Sequence, residues 1–383
     1  MAQNGTMTAK DIILIVGLVD KAVAESILAT NKQRGWNYRF GLMYSTRPLS
    51  KSEQEVAAMF DIQIPCNFDS HKSITQALLP YEGQLKAATV RGENNIPYFQ
   101  KVIPHIPYLR TPTTESLTWA TSKIEMRTRF SEYDKTVSPI FKVVSDAHKK
   151  TLESIKTEIG FPLVIKPAGL AASLLVTIAY HEEELAKSLR RVLRKLRSQY
   201  KKWEGRGEPQ VLVEQFMEGE MYSIDCYVSS SGKIYYCPLV HVKTGREIGF
   251  DDFFGYQRIT PTLLTPENIQ LAQETAKKAI YGLGLRSSTA HIELMKTENG
   301  WKIIELGPRI GGFRDTMYLL SFDISHTAND IAIHLPEKPV ISHKQLGYTA
   351  ALQFFAKHEG KITNLVGIKK IKNLNHFIPW KST

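Results

Sequence analysis

Between residues 11 and 92, short apolar runs alternate with polar stretches whose apolar positions recur at helical spacing. DIILIVGL (11–18) precedes a helix-compatible stretch, 20–34, that stops at Gly35. RFGLMYS (39–45), an apolar-faced helix over 51–60, DIQIP (61–65), a helix over 71–79 and AATVRG (87–92) continue the pattern. Strands separated by helices in this way predict a parallel sheet with both faces covered. Gly17 stands alone, with no GxGxxG after it, so a dinucleotide fingerprint is absent.

Pro104, Pro107 and Pro112 then punctuate the chain and predict a domain junction. The stretch 113–130, TTESLTWATSKIEMRTRF, reads as one helix with a Thr or Ser cap and Glu115 in its first turn. From Phe161 the pattern turns strand-rich: PLVIKPA, SLLVTIAY, a basic helix, VLVEQFM, MYSIDCYV and KIYYCPLVHV, the last two joined by a hairpin at Ser229–Gly232. An antiparallel sheet flanked by a helix is the simplest arrangement. A helix over 266–281 follows, capped by Thr265 with Pro266 at its first position. Two further strands, STAHIELMK and GWKIIEL, meet at a turn over Glu298–Gly300.

At 383 residues and 43% apolar content, the chain can bury two or three domains. It contains no apolar run of membrane-spanning length, and MAQNGTMTAK lacks the layout of a secretory signal, so a cytoplasmic location and no membrane partner are expected. Cys66, Cys226 and Cys237 form no CxxC pair, which argues against structural zinc; Cys226 and Cys237 are placed to face each other across the hairpin as reduced thiols. The formal charge of +11 is mostly local, since nine cations stand against Glu204 alone between residues 187 and 206. Leu185, Leu189, Val192, Leu193, Leu196, Tyr200 and Trp203 give that segment an apolar stripe, with the charges opposite. A solvated helix face and a surface for an anionic partner both fit. With no aromatic residues interleaved on the charged face, nucleic acid is disfavoured as a partner.

Chemistry concentrates in AHIELMKTENGWKIIELGPRIGG, where Glu293 and Glu305 interrupt strand-forming runs. A carboxylate in a half-buried strand is costly unless paired or metal-bound, and hard divalent cations take such oxygens together with phosphate oxygens. Two solvent-facing glutamates are the plainer alternative. Arg309, followed by Gly311 and Gly312, could hold a phosphoryl group or anionic intermediate at the strand end. Lys166 lies within the apolar run PLVIK before a small-residue loop containing Ser173, where amides could approach phosphates. In VLVEQFMEGE, Gln215, Phe216 and Met217 could present backbone and apolar groups to a flat base, with Glu214 or Glu220 accepting hydrogen bonds from it or its sugar.

Taken in order, the α/β unit, an SKxxxR helix, the IKP strand, the VEQFxxGE hinge, HxE and ExxxRxGG resemble the ATP-grasp superfamily. Within it the likeness is to carboxylate-amine ligases such as the bacterial L-amino-acid (dipeptide) ligases, and it covers most of the chain. It implies an α/β fold, α+β in the later part: a parallel-sheet domain over 1–110, a two-lobed ATP-grasp domain with antiparallel sheets over 111–340, its flap-bearing lobe at 160–230, and a short C-terminal element, 341–383. It also implies that Lys123 and Lys166 contact ATP phosphates beneath a 168–173 flap, and that Glu214–Met217 line the adenine. Glu293 and Glu305 would bind Mg²⁺, with Mn²⁺ able to substitute, while Arg309 and the Gly312 amide would stabilise the acyl-phosphate or tetrahedral state. ATP-dependent, ADP-forming amide synthesis from a small carboxylate, such as an amino acid, and an amine is the implied reaction.

Arg246 and Arg258 in the loop 245–261 are candidate substrate contacts, and His291 of HxE is a third; an ordered lid without substrate contact is the alternative for that loop. Three positions depart from the family pattern: Gly307 replaces an asparagine, Leu174 and Leu175 stand in a flap that is usually richer in glycine, and Met221 follows Glu220 where a glutamate is frequent. They keep open a second reading, a degenerate nucleotide-binding protein without turnover. For 341–383, closing the acid pocket and a homodimer contact both remain open.

Overall fold

The computed structural model describes residues 10–373 except 171–173, 204, 206, 251, 356–359, 362, 365, 368, 369 and 372. Its first layer is a parallel sheet of β1 (Ile12–Val16), β2 (Arg39–Ser45), β3 (Ile62–Cys66) and β4 (Leu85–Val90), in the order β3-β2-β1-β4. All five residues of β1 are buried because helices cover both faces of the sheet, so the strand reads as continuous apolar sequence rather than alternation. Helix α1 (Lys21–Arg34) starts on the Asp20 carboxylate, which accepts from the Val23 amide, and ends at Gly35 with φ 66°. Helix α2 (Lys51–Ala57) opens with a Ser50/Glu53 capping box, and α3 (His71–Leu78) and α4 (Ile96–Val102) complete the layer.

The stretch expected as one helix is two: α5 (Thr114–Thr121) and α6 (Lys123–Tyr133). Ser122 takes an extended conformation and its hydroxyl accepts from the Glu125 amide, so a residue read as mid-helix is an N-cap. The break sets Lys123 at the first position of α6.

A small antiparallel sheet follows, containing β5 (Phe141–Val144), β6 (Leu163–Pro167), β7 (Thr177–Ala179) and β8 (Val211–Gln215) in the order β5-β8-β6-β7. Helices α7 (Lys149–Glu158) and α8 (Glu182–Lys202) cover it. The stripe of α8 is buried as its spacing predicts: Leu185, Leu189, Val192, Leu196 and Tyr200 join Leu163, Ile165 and Val213 in one core, while Trp203 falls beyond the helix and is exposed.

The large sheet comprises β9 (Glu220–Val228), β10 (Ile234–Tyr236), β11 (Val240–Thr244), β12 (Gly255–Thr260), β13 (Ser288–Thr297), β14 (Gly300–Gly307) and β15 (Thr349–Leu352). Its order is β14-β13-β9-β11-β12-β15, with β10 also on β9. KIYYCPLVHV is therefore not one strand: it is interrupted at Cys237–Leu239, around Pro238, and both pieces pair antiparallel with β9. The register places Tyr236, not Cys237, opposite Cys226, and the two thiols lie in different cores, so the expected facing pair is not formed. Helix α9 (Pro266–Gly282), capped by Thr265, lays Ala272, Ala276 and Ala279 against Ile224, Ile292 and Leu294. Helices α10 (Arg314–Phe322) and α11 (His326–Ala332) follow β14. Residues up to Leu352 make one compact unit and Gln353–Thr383 a second, so β15 belongs to the large sheet.

Candidate active site

Register in the β13–β14 hairpin sets Glu293 directly opposite Glu305, with a bulge immediately after Glu293. Cross-strand neighbours share a face, so two carboxylates, each about one-third or more exposed, stand side by side where like charges repel unless a cation lies between or beside them. One cation is supplied by the chain. Lys123 Nζ lies 3.3 Å from Glu305 Oε1 and donates to the Leu170 carbonyl at 3.1 Å, joining the hairpin to the segment expected as the flap. No group of three or more His, Cys, Asp or Glu positioned to hold a metal ion occurs among the described residues. The donor set is two carboxylate-bearing strands and no protein cage, which fits an Mg²⁺ ion that keeps water and phosphate oxygens as its remaining ligands.

Lys166 on β6 is the second expected phosphate lysine, and its surroundings differ from a simple free cation. Its Nζ is 2.8 Å from Glu214 Oε2, while Arg127 of α6 holds Glu214 Oε1 through Nε at 2.6 Å and reaches the Ile304 carbonyl at 2.6 Å. Burial pushes the Lys166 pKa down, partly offset by Glu214, and Arg127 and Lys123 press in the same direction as burial. Burial opposes ionisation of Glu214, but Arg127 and Lys166 overcome it and hold its pKa at about 2. The trio thus carries one surplus positive charge in a desolvated place, and Arg127 Nη1 has no hydrogen-bond acceptor among the described residues. An anionic ligand suits that imbalance.

Glu214, expected beside the base, is only 3% exposed, and its carboxylate is held by Arg127 and Lys166. The neighbouring hinge residues are closer to the surface: Gln215 is exposed, and Phe216 and Met217 are half-buried. Their backbone is partly committed, since the Gln215 amide donates to Ile140 and that of Phe216 to Pro162. Glu220 is exposed, accepts from the Tyr222 hydroxyl at 3.2 Å and faces Lys296 at 3.7 Å. Arg246 donates to the Tyr180 hydroxyl at 2.6 Å, and its guanidinium lies 5.7 Å from the Phe216 ring centre, so it neighbours the hinge. Ser173 lies outside the described residues.

After β14 the chain turns through Pro308–Phe313. Arg309 Nε donates to Glu93 Oε2 at 2.8 Å, and Nη1 to the Ile310 carbonyl. Burial alone would lower the Arg309 pKa, but Glu93, Glu293 and Asp225 hold it above the ordinary value. Gly307, standing where the family has asparagine, leaves room for this pair: a Cβ there would lie 3.3 Å from the Arg309 guanidinium carbon and 3.5 Å from Glu93 Oε2. Gly312 is exposed, with open space where a side chain would begin, and its carbonyl accepts from Arg314 Nη1 at 3.0 Å.

Arg258 on β12 donates to the Gly255 carbonyl at 2.8 Å and its guanidinium lies 5.0 Å from the Phe313 ring centre. Burial, then Arg314, lowers its pKa to about 10, with Glu293 acting the other way. His291, expected as a substrate contact, is bonded within the sheet. It is 7% exposed, its Nδ1 bonds Asp225 Oδ1 at 2.7 Å and its Nε2 lies 3.8 Å from Glu293. Burial disfavours the imidazolium, but Asp225 and Glu293 outweigh it and raise the His291 pKa.

Sequence reasoning missed Asp225, His326, Arg314 and Glu93, and gave no role to Arg127, the arginine of SKxxxR. The first had a signal: an aspartate inside the apolar run MYSIDCYV is as anomalous as Glu293 in its own strand. Glu93 had none, since its partner lies 216 positions away.

Residues 159–319 match the ATP-grasp domain model. The chain is 32% identical over 187 residues to an alanine–anticapsin ligase of Bacillus amyloliquefaciens, a match covering 45% of this chain and 39% of that protein. It is 28% identical over 224 residues to the uncharacterised protein y4rH of Sinorhizobium fredii (strain NBRC 101917 / NGR234), covering 57% and 43% respectively. The matches thus span about two-fifths of the length of these curated relatives. An L-amino acid ligase from Bacillus licheniformis has the same fold, with a TM-score of 0.74 at 16% identity over 95% of this chain and 85% of that one. Sequence likeness to the ATP-grasp domain is thus carried by residues 159–319, under half of the chain. No helix among the described residues is long and apolar enough to cross a membrane.

Proposed function

We propose that the protein is an ATP- and Mg²⁺-dependent carboxylate-amine ligase, ADP-forming, acting on an amino acid or similar small acid. The observation that carries the reading is the Glu293/Glu305 pair on adjacent strands with Lys123 bridging Glu305 to Leu170. Similarity to alanine–anticapsin ligases and to the fold of an L-amino acid ligase supports the same class.

In this reading Glu293 and Glu305 would hold Mg²⁺, which would supply charge neutralisation on the phosphate oxygens. Lys166, oriented by Glu214, and Lys123 place positive charge where the γ-phosphate receives the acid. A carboxylate oxygen attacks the γ-phosphorus, the bond to the ADP oxygen breaks, and an acyl phosphate forms. Arg309, steadied by Glu93, binds the developing anion. The amine nitrogen then bonds to the acyl carbon, the bond from that carbon to the phosphate oxygen breaks, and phosphate leaves as the nitrogen loses its proton to solvent. Closure over residues 168–173 would keep water from the acyl phosphate.

The test is release of ADP and phosphate from ATP and Mg²⁺ with pools of amino acids and other small carboxylates, with and without amines. Acid-dependent release that disappears in Glu305→Ala supports the ligase. Gly307, which removes one ligand the family supplies, favours a second reading of nucleotide binding without turnover. ATP binding with no release from any pool would select it.

A further inference from the structure

Asp225, on β9, is wholly buried, and burying a carboxylate is costly unless donors surround it. Three donors do, each from a separate element. His291 Nδ1 on β13 is at 2.7 Å, His326 Nε2 at the start of α11 is at 2.7 Å, and the Gly311 amide in the loop after β14 is at 2.9 Å. The donors fix the tautomers: His326 donates through Nε2 and so accepts from the Tyr227 hydroxyl at Nδ1, while His291 donates through Nδ1 and turns Nε2 to Glu293. Gly311 is packed onto the imidazole, since a Cβ there would lie 2.3 Å from His291 Nδ1. The next peptide is held from the same strand: Ser223, two residues before Asp225, accepts from Arg314 Nη2 at 2.6 Å, and Arg314 Nη1 grips the Gly312 carbonyl.

We propose that Asp225 is a positioning residue that sets the Pro308–Phe313 loop, and with it Arg309 and Gly312, against the strand bearing Glu293. The assignment of a catalytic consequence rests on the ligase reading of those residues; the positioning itself does not. A reacting constellation must be held to within about half an ångström, and a loop pinned at the Gly311 amide and the Gly312 carbonyl by one central strand meets that demand.

Asp225→Asn tests it. Asparagine offers one acceptor oxygen and an NH₂ where aspartate offers two oxygens, so at least one of the three donors loses its acceptor. Two readouts are made on the purified full chain: hydrogen exchange of the peptide covering 308–313, and steady-state ADP release. Exchange at 309–313 rises about tenfold while the β1–β4 peptides stay as in the wild type. The turnover number falls about 10- to 100-fold with the KM for ATP within about twofold, as for partners that orient a reacting group without touching substrate. Unchanged exchange in the loop overturns the proposal, as does a raised ATP KM at unchanged turnover. If the wild type shows no acid-dependent release, the ligase reading fails, and the exchange result still judges Asp225. If Asp225→Asn does not fold, Tyr227→Phe, which removes the hydroxyl bonded to His326 and leaves Asp225 in place, gives smaller changes in both readouts; no change in either overturns the proposal.

Discussion

Glu93, at the loop that follows the last strand of the parallel sheet, accepts the Nε hydrogen of Arg309 at 2.8 Å, so the N-terminal layer orients a cation of the candidate site. Both side chains are about one-quarter to one-third exposed, and a pair so placed contributes at most about 1 kcal/mol to stability. Its value lies in direction. A guanidinium fixed through Nε has lost the freedom to swing away, so Glu93→Gln is expected to lower turnover about tenfold while leaving the midpoint of urea unfolding nearly unchanged. Acid-dependent ADP release and urea titration of the same preparation measure the two; unaltered turnover would mean that Arg309 is held by other groups.

The Arg127–Glu214–Lys166 trio gives a different balance between stability and function. Removing the one anion leaves two buried cations without a counter-charge, so Glu214→Gln is expected to destabilise by about 3–5 kcal/mol, measured by denaturant unfolding. The sign of the pH effect follows from the depressed carboxylate. Its folded pKa of about 2 lies below the ordinary value of 4.5, so the stabilisation is complete above that ordinary value and is lost as pH falls toward 2. Unfolding free energies from pH 6 to pH 3 should therefore decline more steeply in the wild type than in the variant. Parallel curves would show that Glu214 does not titrate as the buried ion pair requires.

Neighbouring glycines at the loop separate steric from electronic roles. Gly311→Ala puts a methyl group onto the His291 ring and is expected to cost about 1–3 kcal/mol and most of the activity. Gly312→Ala meets open space and retains its amide, so thermal unfolding and turnover should stay close to wild type. If both variants behaved alike, the close approach of Gly311 to His291 would not be what the loop depends on.

These contrasts also mark what the chain reveals before it folds. The parallel sheet, α1 with its Gly35 stop, α8 with its buried stripe and the β13–β14 hairpin were legible, because each is written in local periodicity and capping chemistry. The opposition of Glu293 and Glu305 is only half legible, because the register set by the turn would put Ile304 opposite Glu293 and the bulge after Glu293 brings Glu305 there instead. What was illegible depends on contacts remote in sequence: Ser122 reads as one more helical residue until tertiary packing makes it a cap, and the grip of Arg127 and Lys166 on Glu214 joins three separate elements. His291 is the instructive case. Its HxE position marked it as a candidate substrate contact and gave no sign of its partner, which the pairing of β13 with β9 supplies by setting it opposite Asp225.

Lys123 tests whether the two glutamates act as a cation site. Without a bound ion, its ammonium at 3.3 Å is the charge that relieves Glu305, and its second bond ties down Leu170 beside the flap. A divalent ion and a nucleotide would take over both tasks, so the lysine is expected to matter more for holding ATP than for folding. Lys123→Met should therefore reduce the thermal stabilisation given by ATP with Mg²⁺, corresponding to about 10-fold weaker binding or about 1.4 kcal/mol, and leave the ligand-free unfolding temperature within about two degrees. Chelating Mg²⁺ should diminish the stabilisation in the wild type, because Glu293 and Glu305 would then face the phosphates as like charges. Equal stabilisation of wild type and Lys123→Met, or stabilisation by ATP that is indifferent to chelation, would remove Lys123 and the glutamate pair from the nucleotide site.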